Sequence, residues 1–132
     1  MIILDTSFII KLFKNEKKAV MAFKSIQLET LYISTITLAE LQIGFLRINK
    51  SPTFINEIIS SLTKEDTCII LKVDTEISLQ YAKNQADLMA AGYQIGSFDG
   101  LIAATAIVHN LKLVTFDSDF KRVQKLNLHL IQ

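Results

Sequence analysis

Residues 97–120, SFDGLIAATAIVHNLKLVTFDSDF, read as a helix, a short turn, a strand and a turn that opens another helix. After Asp99 the apolar residues Leu101, Ile102, Ala103, Ala104, Ala106, Ile107 and Val108 run almost all the way round the helix, the pattern of a helix buried in a core. Leu111 to Phe116 then forms a strand-like run that ends in Asp117. A carboxylate directly after such a strand stands where α/β sheets place their ligand crevice, outside the strand carboxyl ends. The stretch therefore predicts an α/β core with acids at its rim.

Working outward, Met1 to Leu4 reads as a short buried strand, and Asp5-Thr6-Ser7 turns the chain into a helical segment from Phe8 to Phe13. A helix follows from Glu16 to about Gln27, with Ala19, Val20, Ala22, Phe23 and Ile26 inside and Lys14, Lys17, Lys18 and Lys24 on a solvated face. Leu31-Tyr32-Ile33 is the next strand, and a helix runs from about Thr37 to Ile48, where Thr37 and Glu40 fit a capping box. Ser51-Pro52 is a clean helix start, with Phe54, Ile55, Ile58, Ile59 and Leu62 at helical spacing. The Thr37–Leu62 hairpin carries more apolar surface than one small core requires, so it reads either as core or as a protein interface.

Lys64 to Thr67 is polar loop and Cys68 to Val73 a third strand; Asp74 caps a helix over Thr75 to Ala91 that Gly92 ends. The inner face of that helix is expected to hold Ile77, Tyr81, Ala82, Leu88 and Met89. Beyond Asp117, Phe120 to Leu126 is expected to form a short helix and Leu128 to Ile131 a final strand. Strands alternating with helices, without hairpin signals, imply a mainly parallel sheet of about 4–5 strands flanked by helices, in one domain.

The totals narrow the class. The chain has 132 residues, half of them hydrophobic and 20% charged, and its mean hydropathy is +0.34, oily for a soluble domain. No apolar run reaches the ~18 residues of a membrane span, and the opening residues read as core strand rather than signal peptide, so a cytoplasmic protein without a membrane partner is expected. The one cysteine, Cys68, lies in an apolar run and excludes an intramolecular disulfide or a cysteine-cluster metal site. A net charge of +1 neither supports nor forbids nucleic-acid binding, which would need local patches. His109 and His129 lack metal-ligand spacing to each other or to Cys68.

Asp5, Glu40, Asp99 and Asp117 each lie at or just inside a helix start. Each has a structural explanation, since a helix N-terminus stabilises a carboxylate by ~0.3–1 kcal/mol. A parallel sheet gives another, because turns after successive strands share one edge and would bring the acids together. Converged carboxylates raise one another's pKa unless a cation neutralises them, and all-oxygen ligands select a hard ion such as Mg²⁺. Such a site suits phosphodiester hydrolysis.

The four segments Ile3-Leu4-Asp5-Thr6-Ser7, Ile33 to Leu41, Ile95 to Ala104 and Leu113 to Phe120 closely resemble, in order and spacing, the motifs of PIN-domain proteins. Within that family the chain resembles VapC toxins, and the resemblance covers essentially its whole length. It implies a PIN-like three-layer fold and assigns Asp5, Glu40, Asp99 and Asp117 to an acidic quartet that binds Mg²⁺ or Mn²⁺ and supports RNA cleavage. Thr6 and Thr115 match small hydroxyl residues bracing the site. Asp119 competes for the last acidic position, and Asp117 is favoured because it leaves the strand directly.

The resemblance further implies an RNA substrate, products with a 5′-phosphate and a 3′-hydroxyl, a homodimer, and a cognate antitoxin protein that covers the groove. Lys11, Lys14, Arg47, Lys121 and Arg122 are candidates to grip RNA. Two other readings compete: a PIN-like RNA- or protein-binding domain without activity, and an aspartyl-phosphate phosphotransferase. The latter usually needs a second acid two residues after the first, where Ser7 stands.

Overall fold

The computed structural model describes residues 1–64 and 67–132. Glu65 and Asp66, the centre of the expected Lys64–Thr67 loop, lie outside the described residues. The elements follow as β1 Ile2–Leu4, α1 Thr6–Phe13, α2 Lys17–Ile26, β2 Leu31–Ser34, α3 Thr35–Arg47 and α4 Pro52–Leu62. Then come β3 Ile69–Leu71, α5 Thr75–Ala90, α6 Ser97–Val108, β4 Lys112–Thr115, a 3₁₀ helix Ser118–Arg122 and β5 Leu128–Leu130. The five strands form one parallel sheet in the order β3-β2-β1-β4-β5.

Side-chain alternation in β1 explains the three layers. Ile2 and Leu4 face one core, shared with Phe8, Ile9, Ile33 and Leu41, while Ile3 faces the other, shared with Leu88, Ile102, Ala103, Leu113 and Phe120. The chain builds outward from β1 through β2 to β3, then returns to lay β4 on the other side of β1. The strand order therefore reverses between β1 and β4, and the crevice such a reversal leaves at the carboxyl ends is where open α/β sheets bind ligands.

Several helix ends differ from the sequence expectation. Thr37 does not start a capping box: α3 begins two residues earlier, capped by Ser34, whose Oγ accepts from the Ile36 N–H at 3.0 Å. Thr37 is buried inside the helix, and Glu40 is free to point elsewhere. α1 starts at Thr6 rather than Phe8, and β3 is shorter than Cys68–Val73. The expected helix over Phe120–Leu126 is instead the 3₁₀ turn Ser118–Arg122, because Asp117 caps it early, its Oδ1 accepting from the Asp119 N–H at 2.9 Å.

Ser51 and Asp74 cap α4 and α5 as expected, accepting from the Phe54 and Ile77 N–H groups. Gly92 follows α5 with φ of 80°, the left-handed conformation expected of it. Asn15, Asn49 and Asn110 adopt the same region just beyond α1, α3 and α6. Cys68 is buried and desolvation pushes its thiol up to about 11.

The inner face of α5 is also revised. Ile77 and Leu88 are buried and Tyr81 half-buried, but Ala82 and Met89 face solvent and Asn84 takes the inward position between them. On the α3–α4 hairpin, Ile55 and Leu62 are buried, whereas Ile43, Leu46 and Ile48 are 47–63% exposed, so part of its apolar surface is left uncovered.

Candidate active site

Asp5 leaves β1 at the reversal point, its N–H donating to the Val114 carbonyl of β4 at 3.1 Å. Its backbone occupies the N-cap position of α1, yet its side chain makes no cap hydrogen bond. Thr115 Oγ1 donates to Asp5 Oδ2 at 2.6 Å and Ser7 Oγ donates to the same oxygen at 2.7 Å. Both donors hold one oxygen, and Oδ1 is left buried without a partner among the described residues. Asp5 is 2% exposed, so this is a carboxylate withdrawn from water with one face unsatisfied.

Glu40 comes from α3, where Thr6 Oγ1 of α1 donates to its Oε1 at 2.7 Å; Thr6 also stands 3.2 Å from the buried Thr37 hydroxyl. Burial raises the Glu40 pKa, the Thr6 hydrogen bond opposes this, and the nearby Asp5 adds to the rise. Asp99 sits in the first turn of α6, and an open depression of about 300 Å³ is lined by Glu40, Gly96, Ser97, Phe98 and Asp99. The Asp99 carboxyl is pushed up to about 7, first by desolvation and then by the charges of Asp5, Asp117, Glu40 and Asp119. Asp5, Asp117, Glu40 and Asp119 thus stand near enough to Asp99 for their charges to bear on its carboxyl group.

Asp117 follows β4, its N–H donating to Thr115 Oγ1 at 3.0 Å. Asp119 is turned toward Arg122, 3.9 Å from its guanidinium and exposed. Among the described residues, the ion pairs are Met1–Glu29, Lys11–Glu16 and Arg122–Asp119, so Asp5, Glu40, Asp99 and Asp117 have no basic partner.

The donor set fits a hard divalent ion: carboxylate oxygens, one of them orphaned and buried, with no salt-bridged cation among the described residues. Among the described residues no three His, Cys, Asp or Glu side chains are already drawn together into an ion cage. Mg²⁺ does not require one, since it is held by one or two carboxylates plus waters and substrate phosphate.

Sequence reasoning located Asp5, Thr6, Glu40, Asp99, Thr115 and Asp117, and the fold carries all of them to this edge. It missed Ser7, the second donor to Asp5, and Thr37, the hydroxyl beside Thr6. Ser7 was signalled by the run of hydroxyls directly after Asp5; nothing distinguished Thr37 once it was read as a cap. Of the proposed RNA-gripping cations, Lys11 is engaged with Glu16 at 3.1 Å and lies over the Phe116 ring. Lys14, Arg47 and Lys121 are exposed, and Arg122 lies over Tyr93.

Comparison with known proteins gives consistent results. A family model described as PIN domain matches residues 2–126. The chain is 37% identical to a protein named VapC ribonuclease Y4jK from Sinorhizobium fredii, over 89% of this chain and 88% of that one. Among solved structures it matches VapBC2 from Rickettsia felis bound to a DNA fragment from their promoter, with a TM-score of 0.86, 28% identity and full coverage of both chains. VapBC-1 from nontypeable Haemophilus influenzae matches with a TM-score of 0.84 and 32% identity over 98% of each chain.

Proposed function

The chain belongs to the PIN domain family, and from that premise we propose that it is a divalent-metal-dependent endoribonuclease of the VapC kind, silenced by a cognate antitoxin. The observation that carries the reading is the buried Asp5 carboxylate, fixed through Oδ2 and unsatisfied at Oδ1, at the point where the sheet order reverses.

Asp5, Asp99 and Asp117 are assigned to hold the ion, with Mg²⁺ proposed and Mn²⁺ as a substitute. A divalent cation at this edge supplies Lewis acidity toward water and phosphate oxygen. Thr115 and Ser7 aim Asp5 by occupying Oδ2, and Thr6 aims Glu40. Glu40, its pKa raised by burial, is suited to accept a proton from an attacking water or to join the ion's ligands. Asp117 is proposed as the fourth acid because it leaves β4 directly with its N–H held by Thr115 Oγ1, whereas Asp119 is exposed and 3.9 Å from Arg122. Cleavage by water then leaves a 5′-phosphate and a 3′-hydroxyl.

A homodimer is proposed through the exposed Ile43, Leu46 and Ile48 of the α3–α4 hairpin. The solved neighbours at 28% and 32% identity are VapBC structures, and their likeness supports an antitoxin as this chain's partner. Among the described residues no helix is long and apolar enough to cross a membrane, and a cytoplasmic location is proposed along with the RNA substrate.

The test is cleavage of a pooled structured-RNA panel with Mg²⁺, Mn²⁺ or EDTA. Asp5→Asn and Asp99→Asn are each expected to lower the rate by at least ~100-fold, the scale lost when a charge-stabilising group is removed. Metal binding with no cleavage of any RNA would instead make the chain a binding domain.

A further inference from the structure

One side chain of α6 breaks the burial pattern of that helix. From Asp99 to Val108 every residue is buried or half-buried, whereas Phe98, in the first turn, is 43% exposed. A phenylalanine left open to water forfeits the transfer free energy that its burial would supply. Phe8 stacks with Phe116 and Phe45 meets Phe54 edge-on, while the Phe98 ring has no aromatic or cationic partner among the described residues.

Its place ties the ring to the acids. Phe98 directly precedes Asp99, and the two line one open depression of about 300 Å³ with Glu40, Gly96 and Ser97. No lining residue is a cation and two are carboxylates, so a phosphate finds repulsion on these walls and no counter-charge of their own. A nucleobase is neutral and offers a π-face, which makes it the part of an RNA strand that this wall accepts. The apolar area on offer is one ring bounded by polar Ser97, Glu40 and Asp99. That suits one base and is far short of the area a protein contact needs by itself.

We propose that Phe98 is the stacking platform for the base of a nucleotide adjoining the scissile phosphate. The ring packs face to face against an unpaired base and leaves the adjoining phosphate directed at the ion held by Asp99. Every base has a π-face, so Phe98 sets the placement of the strand rather than its sequence. The proposal rests on the ribonuclease reading and deepens it, naming a residue that holds the strand in register over the acids.

The chain has no tryptophan, so Phe98→Trp introduces the sole one at the proposed contact and makes stacking visible as fluorescence quenching. The test mixes this variant in Mg²⁺ with a short mixed-sequence single-stranded RNA, and separately with ribose 5-phosphate, reading by stopped flow before turnover. Anisotropy of the dye-labelled strand reports binding in parallel. Saturable quenching by the RNA, absent with ribose 5-phosphate, is expected. Phe98→Leu is expected to raise KM for the same RNA about tenfold with kcat little changed, and Phe98→Tyr to hold KM within about twofold of the parent. Phe13→Leu, at a similarly exposed phenylalanine ending α1, is the unchanged control.

Emission that stays constant while the RNA binds, or a Phe98→Leu KM equal to the parent's, overturns the platform and leaves the ring to a protein contact. A Phe98→Tyr protein no better than Phe98→Leu overturns it as well, since the ring face is then not what matters. Metal-dependent cleavage without quenching removes the platform and leaves the nuclease standing; quenching without cleavage does the reverse. RNA that does not bind at all overturns both.

Discussion

Asp99 shows at the scale of one residue how function is set against stability. Its folded pKa, about 7, is raised above the usual 3.8, so the fold favours the protonated form. Stability from this group is fully present below pH 3.8 and is lost as pH rises through about 7, because the unfolded chain ionises first. Glu40 acts in the same direction. The metal-free protein is therefore expected to lose thermal stability across that interval, and Mg²⁺ or Mn²⁺ to restore it at neutral pH by favouring the ionised acids. Asp99→Asn should raise the melting temperature of the metal-free protein at pH 7.5, remove most of the stabilisation by Mn²⁺ and abolish cleavage. Thermal scans with and without EDTA check all three, and an Asp99→Asn protein less stable than the parent would contradict the desolvated carboxyl. Thr115→Val, which strips a donor from Asp5 Oδ2, should cost about 1–3 kcal/mol in denaturant unfolding and reduce kcat more than it changes RNA affinity.

At the scale of elements, α5 and α6 pack closely because residue 100 has no side chain. A Cβ there would stand 2.8 Å from Tyr81 Cε2 and 3.0 Å from Gln85 Nε2. Gly100→Ala is expected to destabilise by about 1–3 kcal/mol and, by displacing the α6 N-terminus, to lower cleavage; urea unfolding beside a rate measurement checks both. Ser34→Ala should cost about 1 kcal/mol, while Thr37 lies too deep in α3 to serve as its cap. Element order and type were legible because apolar spacing in α6, β4 and β1 is strong. The Ser51, Asp74 and Gly92 helix ends were legible too, but the start of α3 was not, because Ser34, Thr35 and Thr37 are all plausible caps and only packing chooses among them. Asn84 was invisible for a related reason: periodicity reads apolar residues, and a polar residue in a core register leaves no trace in it.

For the whole molecule, the parallel order β3-β2-β1-β4-β5 converts four acids far apart in sequence into one edge. Strand–helix alternation suggested that turns after parallel strands share an edge, and the family resemblance named the quartet, but neither carried a sign of which oxygen of Asp5 would be left bare. Nor did it reveal that Asp119 would turn to Arg122, which depends on the 3₁₀ turn replacing a helix. The exposed strip of Ile43, Leu46 and Ile48 also belongs to this scale. Leu46→Lys with Ile43→Lys is expected to convert a dimer to a monomer in size-exclusion chromatography with the melting temperature of the isolated chain nearly unchanged. A wild type already monomeric at micromolar concentration would remove the dimer.

If Asp5, Glu40, Asp99 and Asp117 form one divalent-ion site, paramagnetic Mn²⁺ bound there broadens the amide signals around all four. Substoichiometric Mn²⁺ added to the ¹⁵N-labelled protein should first erase the amide signals around residues 5–7, 40, 97–99 and 115–117, and Asp5→Asn should prevent the loss. Broadening centred elsewhere, or undiminished in Asp5→Asn, would rule out a shared ion site at these four acids.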